Sequence, residues 1–203
     1  VLAVAVFVVV GYGTIVDGDP GPTPGDRTAQ EIALDLRAGW LTEASKVVTF
    51  LGSAPVTILV TLAAAVVFAL TRRWAELVVT VVAVLLSFVF VWELKELLER
   101  PRPGGALVAA DGYSFPSGHA THSVIYPWLA LTFVLRVRQG LAYATAIVVG
   151  GALLAGAIGL SRVYLGVHYL SDVNAGWSLG VAWFALCAGV ALVVAHFRNN
   201  LER

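Results

Sequence analysis

Three short stretches of the chain carry the residue types that hold and transfer phosphoryl groups. The first contains Lys95, Arg102 and Pro103; the second is Pro116-Ser117-Gly118-His119; the third contains Ser161, Arg162, His168 and Asp172. Lys95, Arg102 and Arg162 are cations that suit a phosphate when turned to a common cavity, since each arginine fork can contact two oxygens. Taken singly, each also looks like a snorkelling anchor at a helix end. Ser117 and Gly118 would open a helix whose unpaired N–H groups and positive dipole end favour an anion, although serine is an ordinary N-cap in any protein. Gly118 leaves room for close approach. His168 and Asp172 are four positions apart and share a face if helical, so the carboxylate can hold one ring N–H and free the other nitrogen for attack. An isolated pair of this kind is more often structural. Two histidines, three cations and a helix N-terminus gathered on one face reverse that preference.

A divalent-metal site is the chemical rival, with His119 and His122 at i, i+3 and Asp172 as ligands. Three basic residues at the same place stabilise phosphate without a metal and would repel one. No metal and no cofactor are therefore assigned. His122 is read as a residue that supports the site from behind or packs its helix, and His196 as lying at the opposite face. The single cysteine, Cys187, sits in an apolar run, forms no internal disulfide and is read as packing.

These residues need a scaffold, and water is not its solvent. Of 203 residues 59% are hydrophobic and 13% charged, with a mean hydropathy of +0.84. Thirteen basic and thirteen acidic residues cancel, so the overall charge points to no nucleic-acid partner. Apolar runs occur at 55–70, 74–92, 120–135, 141–160 and 173–195, and a shorter one at 1–16 makes six. A helix crossing a bilayer needs about 20 residues. The run at 1–16 is therefore read as a first helix truncated at its N-terminus. A cleaved signal peptide competes with that reading but requires a basic leader and a small-residue cleavage site, neither of which is visible. Residues 17–26, rich in Gly, Pro and Asp, read as a loop. Residues 28–41 place Ile32, Leu36 and Trp40 on one face, as a short amphipathic helix in the interface would. Gly150, Gly151, Gly156 and Gly159 are expected to permit close helix approach.

The expected fold is all-α: one domain over residues 1–203, an integral-membrane bundle of six transmembrane helices with a short interfacial helix. Cytoplasmic loops carry excess Lys and Arg, which places Arg72, Arg73, Arg136 and Arg138 inside, and the tail with Arg198 and Arg203 beside them. The loop at 17–26, the long connection at 93–117 and the connection at 162–172 then face outward. All three phosphate-suited groups fall on that outer face.

At this point the residues resemble a known family. Residues 95–103 read KELLERPRP, a lysine, six residues, then arginine and proline; 116–119 read PSGH; 161–172 read SRVYLGVHYLSD. In this order they resemble the three-part signature of the type-2 phosphatidic acid phosphatase superfamily, which also includes bacterial acid phosphatases and vanadium haloperoxidases. The motif-bearing region covers somewhat over a third of the chain. The resemblance implies that His168 attacks phosphorus and forms a phosphohistidine, that Asp172 orients it, and that His119 protonates the leaving oxygen and later activates water. It implies too that Lys95, Arg102, Ser117, Gly118 and Arg162 hold the phosphoryl oxygens.

The implied activity is metal-independent hydrolysis of a lipid phosphate or diphosphate by a multi-pass protein of the cytoplasmic membrane, its site on the extracytoplasmic side. Polyprenyl diphosphate, phosphatidylglycerol phosphate and phosphatidic acid are the substrate classes; polyprenyl diphosphate or a broad range of lipid phosphates is favoured. The partners are thus the lipid substrate and the bilayer, and oligomeric state is left open. A haloperoxidase would be soluble, which this chain is not. A lipid phosphotransferase, passing the group to an alcohol, is the alternative, and a catalytically dead transporter or binding protein is disfavoured by the filled signature.

Overall fold

In lipid a backbone must satisfy its own N–H and C=O groups, so apolar runs of this length fold as helices. The computed structural model describes residues 1–137 and 140–201, and side chains at 198, 199 and 201 are outside that description. Among the described residues every regular element is an α-helix. In order these are α1 (Leu2–Gly18), α2 (Pro24–Asp35), α3 (Gly39–Phe50), α4 (Ala54–Leu70), α5 (Trp74–Leu98), α6 (Gly118–Ser123), α7 (Ile125–Val134), α8 (Leu141–Tyr164) and α9 (Leu170–Leu201).

Three of them, α5, α8 and α9, are long and apolar enough to cross a membrane; α3 and α4, bent by 45° at their junction, pass the same test as a pair. Their outer faces carry Leu59, Leu85, Leu153 and Leu192 exposed, while Asp26, Arg100, His168 and Asp172 are buried. That inversion of the soluble pattern is what a lipid solvent demands. The protein is a multi-pass membrane protein.

Several expected boundaries shift. The run at 120–135 is two helices, α6 and α7, meeting at Val124. The amphipathic segment at 28–41 also breaks. Helix α2 stops at Asp35 and α3 starts at Gly39, so Trp40 belongs to a different helix from Ile32. Its start is sharp because Thr23 and Asp26 form a capping box, each side chain bonding the other's backbone N–H (3.2 and 3.0 Å). The long connection expected at 93–117 is shorter, since α5 continues to Leu98 and ends on a left-handed Glu99. Arg138 and Arg203 lie outside the described residues, as does the side chain of Arg198. At the far end from the phosphate-suited groups, Arg73 pairs with Glu76 (3.2 Å) and Arg136 with the same carboxylate.

Helix α9 is the central post, packed on α1, α5 and α6, while α8 packs on α3, α6 and α7. The core joins Val79, Ala83 and Val84 of α5 to Val124, Ile125 and Phe184. The glycines that allow close approach are only partly those expected. A Cβ at Gly159 would lie 2.2 Å from Trp177, and one at Gly151 3.0 Å from the Pro127 backbone, but Gly150 and Gly156 face open space. The closest backbone approach is at α9 instead. There a Cβ at Gly176 would meet the Ser117 carbonyl at 2.5 Å, and one at Gly180 the Thr121 carbonyl at 2.6 Å. These two positions seat α6 against α9, and α6 carries His119.

Candidate active site

Each sequence-selected residue sits where a helix ends or begins on one side of the bundle. Lys95 is in the last turn of α5, and its Nζ donates to the Tyr113 carbonyl. Arg102 follows in the loop and organises it: Nε donates to the Gly112 carbonyl (2.9 Å), Nη2 to Asp111 (2.7 Å) and Nη1 to Val167 (2.8 Å). Ser117 caps α6. Its Oγ accepts from the Ala120 N–H at 3.5 Å, and its own N–H donates to the Asp172 carbonyl at 3.0 Å. The α6 N-terminus is thereby tied to the first turn of α9. A methyl at Gly118 would make only ordinary contacts, 3.5 Å to Val91 and 3.7 Å to His122, so internal packing does not demand glycine there.

Arg162 lies in the last turn of α8, buried, with Nη1 donating to Thr49 Oγ1 of α3 (3.0 Å) and Nε without any partner. Helix α8 then turns through Gly166, whose φ of +71° a side chain would strain; a Cβ there would also press the Gly105 carbonyl at 3.2 Å. That turn delivers His168, which lies in the connection before α9 and does not share a helix with Asp172. The expected i, i+4 pairing arises differently. Asp172 sits in the first turn of α9, and its Oδ2 accepts from the Tyr169 N–H at 2.8 Å, a cap that aims the same oxygen at His168 Nδ1, 3.5 Å away.

His168 Nε2 faces Arg102 Nη1 at 3.2 Å. An arginine can only donate, so Nε2 is the acceptor and carries the lone pair, which leaves the ring proton on Nδ1, towards Asp172. The ring is 3% exposed, and Nδ1 has no hydrogen-bond partner at this separation. Burial pushes the imidazole down to about 4, against the opposing pull of Asp172. His119 follows Ser117 and Gly118 in the first turn of α6. The eight selected residues are therefore drawn together from α5, α6, α8, α9 and two connections.

His122 does not join them. Its ring stacks on Phe88 at 3.9 Å, and among the described residues no group of three His, Cys, Asp or Glu side chains has metal-ligating geometry.

Three residues at the site escaped the sequence reading. Thr49, on α3, meets Arg162. Arg100 is completely buried and pairs with Asp172 Oδ1 (2.6 Å) and with Asp26 Oδ2 (3.1 Å). Asp26, taken for the end of a loop, is 1% exposed. Burial acts to raise its carboxyl, but bonds from Ser171 and Thr23 prevail and hold it below its ordinary value. One signal was available: Thr23-Pro24-Gly25-Asp26 has capping-box spacing and ends the Gly/Pro loop sooner than composition implied.

Comparison with known proteins draws on the same elements. The sequence pattern of the PAP2 superfamily matches residues 74–194, from the start of α5 well into α9. The chain belongs to the PAP2 superfamily. Phosphatidylglycerophosphatase B of Bacillus subtilis (strain 168) is 33% identical over 181 residues, covering 86% of this chain and 87% of that protein. The decaprenylphosphoryl-5-phosphoribose phosphatase of Mycobacterium tuberculosis is 32% identical over 127 residues, covering 60% and 65% of the two chains. Among solved structures, the transmembrane PAP2-type phosphatidylglycerolphosphate phosphatase of Bacillus subtilis superposes with a TM-score of 0.78 at 27% identity, over 91% of this chain and 96% of that one. LpxE of Aquifex aeolicus gives 0.60 at 25%, over 80% and 92%. This PAP2 protein is a membrane lipid phosphatase.

Proposed function

We propose that this PAP2 enzyme hydrolyses a lipid phosphate or diphosphate through a phosphohistidine on His168. The observation that carries the proposal is the contact between Arg102 Nη1 and His168 Nε2, 3.2 Å. It sets the tautomer, leaves the lone pair of Nε2 towards the cationic side of the site, and puts the proton on the Asp172 side.

In the first step Nε2 attacks phosphorus and the bond to the leaving oxygen breaks, with His119 supplying that oxygen its proton. Charge on the three equatorial oxygens is met by Lys95, Arg102, Arg162, the Ser117 hydroxyl and the Gly118 N–H at the start of α6. The unpartnered Nε of buried Arg162 is a donor in need of such an acceptor. Asp172 stabilises the imidazolium that forms; its 3.5 Å separation from Nδ1 is of the kind that tightens when substrate binds. His119 then takes a proton from water, which displaces phosphate from His168.

The six-span topology counts α1, the bent pair α3 and α4, α5, the pair α6 and α7, α8, and α9 as one span each. The outward orientation is supported by Arg72, Arg73 and Arg136 lying at the end opposite to His168. The substrate classes are phosphatidylglycerol phosphate, polyprenyl phosphates or diphosphates, and phosphatidic acid. The names of the relatives support the first two.

The test is phosphate release by the detergent-purified protein from a panel of these lipids with a chelator present, alongside His168→Ala. Turnover on at least one lipid, abolished by the substitution, is expected. Near-normal turnover in the variant would refute the nucleophile, and loss on chelation would refute a reaction needing no metal. Phosphorylated product on addition of an alcohol would point to the transferase.

A further inference from the structure

Unlike Arg102, two residues on, which keeps one N–H of Nη2 free, Arg100 keeps none. All five of its N–H donors are committed. Nε donates to the Pro20 carbonyl (3.1 Å), Nη1 to Ser171 Oγ (2.7 Å) and Asp172 Oδ1 (2.6 Å), and Nη2 to the Gly21 carbonyl (2.8 Å) and Asp26 Oδ2 (3.1 Å). Its plane also lies on the Tyr169 ring, 4.2 Å from the centroid. No donor is left for a substrate oxygen.

Asp26 is as fully engaged. Oδ1 accepts the Ser171 N–H (2.7 Å), and Oδ2 accepts the Ser171 hydroxyl (2.7 Å) and the Thr23 N–H (3.0 Å) besides Arg100. Two buried carboxylates thus share one buried guanidinium. Paired with Asp172 alone, Arg100 would cancel its charge. The second carboxylate leaves the cluster net negative, on the side of His168 away from the phosphate-facing cations.

We propose that Arg100 and Asp26 are positioning residues for the reaction. Arg100 fixes the Asp172 carboxylate against His168, and Asp26 divides the charge of Arg100 so that Asp172 keeps the negative charge needed to stabilise the phosphoimidazolium. A purely architectural cluster would instead tie the loop before α2 to the start of α9 and leave turnover by the folded protein untouched. The proposal rests on His168 as nucleophile.

The experiment uses the full chain in detergent, with kcat and KM from phosphate release and the thermal midpoint as a check on folding. Inhibition is compared for inorganic phosphate, which the cations hold, and vanadate, which bonds to the nucleophile as a transition-state mimic. For Asp26→Asn the expected result is a kcat lower by about 10- to 100-fold, the size of effect seen when a group that orients a functional side chain is removed, with KM little changed. Vanadate inhibition should weaken by a similar factor and phosphate inhibition persist. A folded Asp26→Asn with kcat within twofold of the parent, or with a change confined to KM, overturns the proposal. Ser171→Ala decides if that variant does not fold. It removes the hydroxyl that bridges Arg100 Nη1 to Asp26 Oδ2 and so loosens the hold of Asp26 on Arg100, and about a fivefold loss of kcat is expected; an unchanged kcat overturns the proposal. His168→Ala, run in parallel, separates the two failures. An active His168→Ala removes the nucleophile and the proposal with it, whereas an inactive one beside a normal Asp26→Asn removes the clamp alone.

Discussion

Replacing Asp172 by Asn tests the tautomer argument most directly, because the change is isosteric and the consequence can be worked through atom by atom. Oδ1 accepts a 2.6 Å bond from Arg100, while Oδ2 accepts from the Tyr169 N–H at 2.8 Å and faces His168 Nδ1 at 3.5 Å. An amide must put its oxygen against Arg100, since a guanidinium cannot accept. Its NH2 then points at the Tyr169 N–H and at Nδ1. Nδ1 becomes the acceptor, the ring proton moves to Nε2, and the nucleophilic lone pair is lost against a clash with Arg102. Misassigned tautomers of this type lower kcat by about 10⁴ in serine proteases, which corresponds to roughly 5 kcal/mol of barrier. Here a fall in kcat of about three to four decades is expected. KM and inhibition by inorganic phosphate should change little, because Lys95, Arg102 and Arg162 are untouched. The assay is steady-state phosphate release from a lipid phosphate in detergent, with thermal midpoint as the folding control. A folded Asn variant whose kcat stays within tenfold of the parent would refute the reasoning.

Other outcomes follow from the same geometry. Arg162→Lys replaces a fork by a point charge and leaves Thr49 unmet, so kcat/KM should fall by about 100-fold, near 2.7 kcal/mol; a fall below threefold would remove Arg162 from transition-state binding. The His168 imidazole, pushed by burial from 6.5 to about 4, stays neutral and nucleophilic as pH drops through 6.5 and protonates only near 4. Histidine-resolved NMR in micelles that finds its midpoint near 6.5 would contradict this. Gly180→Ala forces a methyl to 2.6 Å from the Thr121 carbonyl and should cost about 1 to 3 kcal/mol. Its thermal midpoint should fall, while Gly150→Ala, facing open space, should not; equal midpoints would mean that α6 and α9 do not need their close approach.

Much of the chemistry was legible because it resides in residue types at set spacings. Lys95, Arg102, the PSGH stretch, Arg162, His168 and Asp172 could be picked out without coordinates, and the apolar runs announced helices in lipid. What could not be read is how non-adjacent segments meet. Sequence spacing implied a helix face shared by His168 and Asp172, whereas the contact depends on a left-handed turn at Gly166 and a capped α9. Arg100 looks no different from Arg102 in RPRP, yet one has every donor spent internally and the other reaches the His168 ring. Periodicity says nothing of which buried carboxylates an arginine will find, since those come from α2 and α9, far apart in the chain. Hydropathy and local spacing are one-dimensional properties, so the sequence alone determined a helical membrane protein resembling a lipid phosphatase and eight candidate residues for its site, without Thr49, Arg100 or Asp26. Burial, charge sharing and the ring tautomer depend on which surfaces pack together in three dimensions. Tertiary structure alone decided that Asp26, at the close of a stretch that reads as a mere loop, is joined through Arg100 to the carboxylate that faces His168.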